Sequence, residues 1–142
     1  MNIYAKCRAI LFLISLLALT GCPGSGDRLK ADETTSASMT ENGVCFQITN
    51  AEDYQPSFIA INQRGTPPKQ QTFTNNPNLT IQNGQLCIPP SFHRFPDKGQ
   101  FIVNYVLASK KQSDSPRRFV VGFEISGNHI RDLPLTEQEI VR

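Results

Sequence analysis

From Arg118 to Ser126 every second residue is a large hydrophobe: Phe119, Val121, Phe123 and Ile125. A period of two is the signature of a strand with one face buried and the other turned away. The same pattern recurs in short stretches from Val44 onward, which limits the fold to packed sheets. Val44, Phe46 and Ile48 alternate after Asn42-Gly43, and Ser57 to Asn62 forms a second apolar strand before a Gly65-Thr66-Pro67-Pro68 break. Gln71 to Phe73 is expected as a short edge strand. Leu79 to Ile81 and Leu86 to Ile88 flank Asn83-Gly84, a pair that tolerates positive φ and marks a tight hairpin. Gln100 to Ala108 is apolar on both faces, as a central strand would be. After Gly127-Asn128 a final strand is expected over His129 to Leu133, and Thr136 and Glu139 have capping-box spacing for one helical turn. No internal repeat is present.

About seven short strands separated by turn signals predict an all-β fold, a small antiparallel β-sandwich. Asp97-Lys98-Gly99-Gln100-Phe101-Ile102-Val103 resembles the approach to strand F of immunoglobulin-like domains. Phe101 takes the tyrosine position of that pattern and Val103 the cysteine position. The resemblance implies an immunoglobulin-like sandwich that lacks the corner hydroxyl, the inter-sheet disulfide and the core tryptophan.

The beginning of the chain is of another kind. Lys6 and Arg8 precede an apolar run from Ala9 to Leu19 broken only by Ser15. That run is shorter than the roughly 20 apolar residues a transmembrane helix needs. It fits the hydrophobic region of an export signal. Leu19-Thr20-Gly21-Cys22 resembles the bacterial lipobox. The resemblance implies cleavage before Cys22 and acylation of that residue, with residues 1–21 removed as the signal peptide. Several acyl chains on one residue make a durable anchor, since each buried CH₂ contributes about 0.8 kcal/mol. Pro23 is not the aspartate that favours inner-membrane retention, so the expected location is periplasm-facing, at the outer membrane rather than the inner.

Residues 22–41 read as the lipidated cysteine followed by a flexible linker, rich in Pro, Gly, Ser, Thr and charge. The folded domain is then expected over residues 42–142. Of 14 basic residues, Lys6 and Arg8 leave with the signal; the remaining 12 balance 12 acidic ones. A net charge of zero gives no general basis for nucleic-acid binding. Four cysteines are present, of which Cys7 lies in the signal and Cys22 is the acylated one. Cys45 and Cys87 remain, with no CxxC spacing and no histidine in a ligand pattern, so a disulfide is expected and no metal. Parity adds a detail. Each cysteine alternates with core-facing neighbours, so the link is expected across adjacent strands on an outer sheet face.

Two clusters are candidates for partner binding. Lys110, Lys111, Arg117 and Arg118 surround a Ser113-Asp114-Ser115-Pro116 turn. Such a tip could grip an acidic surface, or simply keep a strand edge solvated. Phe92, His93, Arg94 and Phe95 lie in a loop from Pro89 to Asp97. They could form a hot spot, or the two phenylalanines could cap the end of the sandwich. His93 and His129 have no nucleophile motif beside them, so neither catalysis nor a cofactor is expected.

The chain also resembles a family of small enterobacterial lipoproteins regarded as type VI secretion immunity proteins of the periplasm. The resemblance is carried by Gly21 to Asp27, Asp53 to Asn62, Arg64 to Pro68, Gln85 to Phe92, Phe95 to Val103 and Val120 to Ile125. It implies a membrane-anchored protein without enzymatic activity that binds and neutralises a secreted toxin. The alternative expectation is an envelope accessory or structural lipoprotein contacting a secretion or outer-membrane complex. An envelope enzyme or small-ligand binder is a third reading, without a convergent polar site to support it.

Overall fold

The computed structural model describes residues 31–140. The expected export signal and the expected acylation site, Cys22, lie outside these residues. Among the described residues, nine strands form two antiparallel sheets. They are β1 (Ala37–Thr40), β2 (Gly43–Gln47), β3 (Gln55–Gln63), β4 (Thr74–Asn75), β5 (Ile81–Gln82), β6 (Gln85–Ile88), β7 (Lys98–Ala108), β8 (Arg117–Ser126) and β9 (His129–Asp132). The first sheet has the order β1-β2-β6-β5 and the second β4-β3-β7-β8-β9. Relabelled A to G, these are the A-B-E-D and C′-C-F-G orders of immunoglobulin-type sandwiches, with β9 added beyond G. β7 occupies the F position, where the sequence pattern around Phe101 and Val103 placed it.

The alternating residues meet between the sheets as their period requires. Phe46 of β2 stacks on Tyr105 of β7 at 5.6 Å and tilts against Phe123 of β8 at 5.9 Å. Tyr105 in turn stacks on Phe119 at 4.8 Å. This aromatic cluster fills the centre that immunoglobulin domains give to a disulfide and a tryptophan. Its hydroxyl is the exception. Tyr105 is fully buried, and its Oη has no hydrogen-bond partner among the described residues. Burial pushes the phenol far above its usual pKa. An unmade buried hydrogen bond is costlier than an apolar group of the same shape. Tyr105→Phe should therefore leave stability unchanged or raise it, by up to about 1 kcal/mol, measured as the urea midpoint.

The disulfide is where parity put it. Cys45 and Cys87 are direct register partners on β2 and β6, and a disulfide joins them. Neither belongs to the hydrophobic core cluster, which takes Val44, Phe46, Leu86 and Ile88 from the same strands. Cys45 is nonetheless buried, with the Thr40 hydroxyl 3.2 Å from its sulfur. The Asn83-Gly84 turn joins β5 to β6 with φ of 52° and 71°, the double positive φ of a type I′ hairpin. At the neighbouring β1–β2 hairpin Gly43 is obligatory. Its φ is 99°, and a Cβ there would lie 2.1 Å from the Ile88 carbonyl oxygen.

Two expectations need correction. The stretch expected as a linker up to residue 41 is folded from the early thirties. Glu33 bridges β8, its N–H donating to Arg118 O at 2.8 Å and its carbonyl accepting from Val120 N at 2.9 Å. β1 then pairs with β2 over its whole length, from Ala37↔Phe46 to Thr40↔Gly43. Backbone pairing at a sheet edge needs no large apolar side chains, so composition concealed it. The short edge strand is likewise Thr74–Asn75, opposite Phe58 and Ile59, and not Gln71 to Phe73. Ahead of it the Asn62 side chain takes the place of a backbone partner. Its amide donates to Thr72 O and accepts from Thr72 N, at 3.1 and 2.9 Å.

Candidate binding site

Strand parity that buries Ile59, Val103, Tyr105 and Val121 turns their neighbours to the outer face of the five-stranded sheet. Register lays those neighbours out in three rows across β3, β7 and β8: Phe58-Val106-Arg118, Ala60-Asn104-Val120 and Asn62-Ile102-Gly122. The face is mostly apolar, with two half-buried amides, Asn62 in an outer row and Asn104 at its centre. Among the described residues the Asn104 side chain makes no hydrogen bond.

Two segments stand over this face as walls. One is the β3–β4 connection, stiffened by Pro67, Pro68 and a 3-10 turn over Pro68–Gln70. The other is the strap after β9, residues 133–140. Leu135 lies against Gly122, close enough that a Cβ at that glycine would meet Leu135 Cδ2 at 2.9 Å. Between the walls is an open groove of about 1080 Å³, floored by residues such as Phe58, Ala60, Ile102 and Val106.

Arg64 and Glu139 lock the walls together. The guanidinium donates from Nε at 2.9 Å and Nη2 at 2.7 Å to the two carboxylate oxygens, and from Nη2 to Pro134 O at 2.7 Å. Glu139 also accepts from Thr136 N at 2.8 Å, the capping contact its spacing predicted. The side chains are 23% and 17% exposed, so the pair is only partly screened by water. The Arg64 hydrogen bond holds the Glu139 carboxyl below the usual range. A depressed folded-state pKa contributes stability that is complete above the ordinary glutamate range and is lost as pH falls through the depressed value. The melting temperature of the native chain should therefore fall more steeply between about pH 5 and pH 3 than that of Glu139→Gln. At neutral pH the variant should be less stable by about 1 kcal/mol.

The four cations expected to act together at the β7–β8 tip do different things. Lys110 and Lys111 have exposed side chains, while their backbone N–H groups donate to Asp53 Oδ2 at 3.1 and 3.2 Å. Ser109 Oγ donates to Asp53 Oδ1, and this bond draws the carboxyl below its usual pKa. Arg117 is not a free cation. It forks onto both Glu33 oxygens at 2.8 Å, donates to the Thr49 and Asn50 carbonyls, and lies over the Tyr54 and Phe119 rings. Arg118, one residue on, faces the opposite way: it is exposed and lines the groove. Strand alternation separates the two arginines.

The aromatic loop caps the end of the sandwich. Phe92 and Phe95 pack on the core cluster, and Phe95 sits edge-on to Phe101 at 5.2 Å and Phe123 at 5.6 Å. His93 is edge-on to Phe95 at 4.6 Å, and burial lowers its pKa. Arg94 is exposed and borders, with His93, a shallow cavity of about 330 Å³ next to Gln63 and Gln70. His129 lies apart on β9. Among the described residues no three His, Cys, Asp or Glu side chains are placed to hold a metal ion. Of the groove residues, sequence reasoning singled out only Arg118 as a binding candidate. The available signal was Asn104, the one amide within the apolar run from Phe101 to Ala108.

No curated protein and no solved structure matches the chain. Residues 32–128 match the family model described as a domain of unknown function (DUF7480), and the match begins where Glu33 enters the sandwich. It covers about two-thirds of the sequence, and the chain belongs to that family.

Proposed function

We propose that this protein is a lipid-anchored, periplasm-facing binding protein that neutralises an incoming type VI secretion effector by covering part of its surface. The observation that carries the binding reading is the groove on the five-stranded sheet. Its floor is apolar, and its walls are set in place by the Arg64–Glu139 pair before any partner arrives. A preformed concave surface avoids much of the ordering cost of association. The export signal and the lipobox resemblance supply the location, with acylated Cys22 at the outer membrane. Ten residue steps lead from Cys22 to Asp32, at the edge of the groove, a reach of at most about 35 Å. On this reading the domain works close to the bilayer, where an effector enters.

The test is a growth assay in which the product of each neighbouring gene is sent to the periplasm, with and without this protein. Rescue from one toxic neighbour is the expected result. If no neighbour is toxic, neutralisation is withdrawn, and the partner is to be sought in a secretion or outer-membrane assembly by envelope cross-linking.

A further inference from the structure

The groove has a direction, a polar centre and one uncompensated charge, and together these specify what can lie in it. We infer that it takes an extended segment of a partner protein, with apolar side chains facing the floor and a carboxylate reaching Arg118. The inference rests on the binding reading above and names the chemistry of the same site.

Length comes first. The groove follows β3 from Ser57 to Gln63, six steps of about 3.3 Å, or roughly 20 Å. An extended segment of about six residues matches that span. The centre comes next. The Asn104 amide offers two donors and an acceptor with no partner of its own, which suits a peptide group with its N–H and C=O. Around it Phe58, Ala60, Ile102 and Val106 offer only apolar contact. A glycan would need an open aromatic platform, but the Phe58 ring is stacked by Phe73 at 5.4 Å.

Charge fixes the polarity. At one end Arg64 is neutralised by Glu139. At the other end Asp32 is already engaged in an interaction of its own, while the exposed Arg118 guanidinium has no ion pair or hydrogen bond among the described residues. A carboxylate on the occupant would give it the forked partner that guanidinium geometry favours.

The experiment uses the mature lipidated chain in nanodiscs and two labelled eight-residue probes alternating valine and threonine. One probe ends in two glutamates, the other in two lysines, and binding is read by fluorescence polarisation. The acidic probe should bind at least about tenfold more tightly, an advantage that shrinks with salt. Arg118→Glu and Asn104→Arg should each weaken it about tenfold or more, while Lys110→Glu on the tip stays within about twofold. Equal binding of the two probes, preference for the lysine probe, or no binding at all would overturn the inference. So would concentration-dependent dimerisation abolished by Arg118→Glu, which would give the groove to a second copy of the chain.

The growth assay separates this inference from the neutralisation reading. If Arg118→Glu and Asn104→Arg still rescue fully, the toxin is held elsewhere and the groove assignment falls while neutralisation stands. If no neighbour is toxic but the probes behave as stated, the groove assignment stands and neutralisation falls.

Discussion

Replacing Cys45 and Cys87 together with alanine should lower the unfolding free energy by about 4 kcal/mol, given the 42-residue separation of the two cysteines. In the chain-entropy picture the link acts on the unfolded chain, by removing the freedom of the loop it closes. That loop contains β3, β4 and β5, so it crosses from the first sheet to the second and back. The loss is large for a domain of this size, whose whole stability is expected in the range of about 5–15 kcal/mol. It corresponds to a fall of roughly 15–30 °C in Tm. Urea titration of native and double-alanine chains measures it, and reduction of the native chain with a thiol should reproduce most of the effect. Alanine is the right replacement because Cys45 is buried and a serine hydroxyl there would add a desolvation cost. A loss below about 1 kcal/mol would mean that the unfolded chain is already compact around β2 and β6, leaving the link little to constrain.

What could be read from the sequence divides along a physical line. Strands that bury one face declare themselves by period two, so Val44 to Ile48 and Phe119 to Ile125 were legible in both position and orientation. The Asn83-Gly84 turn was legible because few residue pairs accept two positive φ angles. The disulfide followed from elimination among the four cysteines, and its place across adjacent strands from parity, without knowledge of the topology. Pairing that depends on backbone groups was not legible. Glu33 and Ala37–Thr40 join their sheets through N–H and C=O, which every residue carries, and their side chains are those of a linker. The groove was hidden for a related reason. It exists because β3, β7 and β8 align Phe58, Asn104 and Arg118 across three strands, and because Arg64 finds Glu139 from 75 residues away. No local window holds both partners. Arg118 was selected for its charge, but the alternation that sends it to the groove and Arg117 to the opposite face was not used.

That alternation leads to the second large effect, Arg117→Ala, expected to cost about 3 kcal/mol. The side chain is 16% exposed and serves three neighbours at once. Its fork holds Glu33 and with it the bridge to β8; Nη1 satisfies the Thr49 and Asn50 carbonyls at 2.9 and 3.2 Å; its plane rests 5.4 and 5.1 Å from the Tyr54 and Phe119 ring centres. Charged hydrogen bonds and ring contacts of this kind each contribute on the order of 1 kcal/mol, and truncation leaves the carbonyls and Glu33 without their donor. Lysine should recover only about 1 kcal/mol, because a point charge cannot fork onto a carboxylate and reach two carbonyls together. Glu33→Gln should cost less, about 1 kcal/mol, since that carboxylate is 43% exposed and water can replace part of the bond. Lys110→Ala and Lys111→Ala should stay within about 0.5 kcal/mol, their side chains being in water. Urea titration orders the series. Hydrogen exchange at the Glu33 and Val120 amides tests the cause, because both bonds of the β8 bridge should open faster in Arg117→Ala and remain protected in the lysine-to-alanine variants. If Arg117→Ala costs no more than Lys110→Ala and Lys111→Ala, Arg117 is one more solvated cation of the tip, and the segment before β1 is held by its backbone bonds alone.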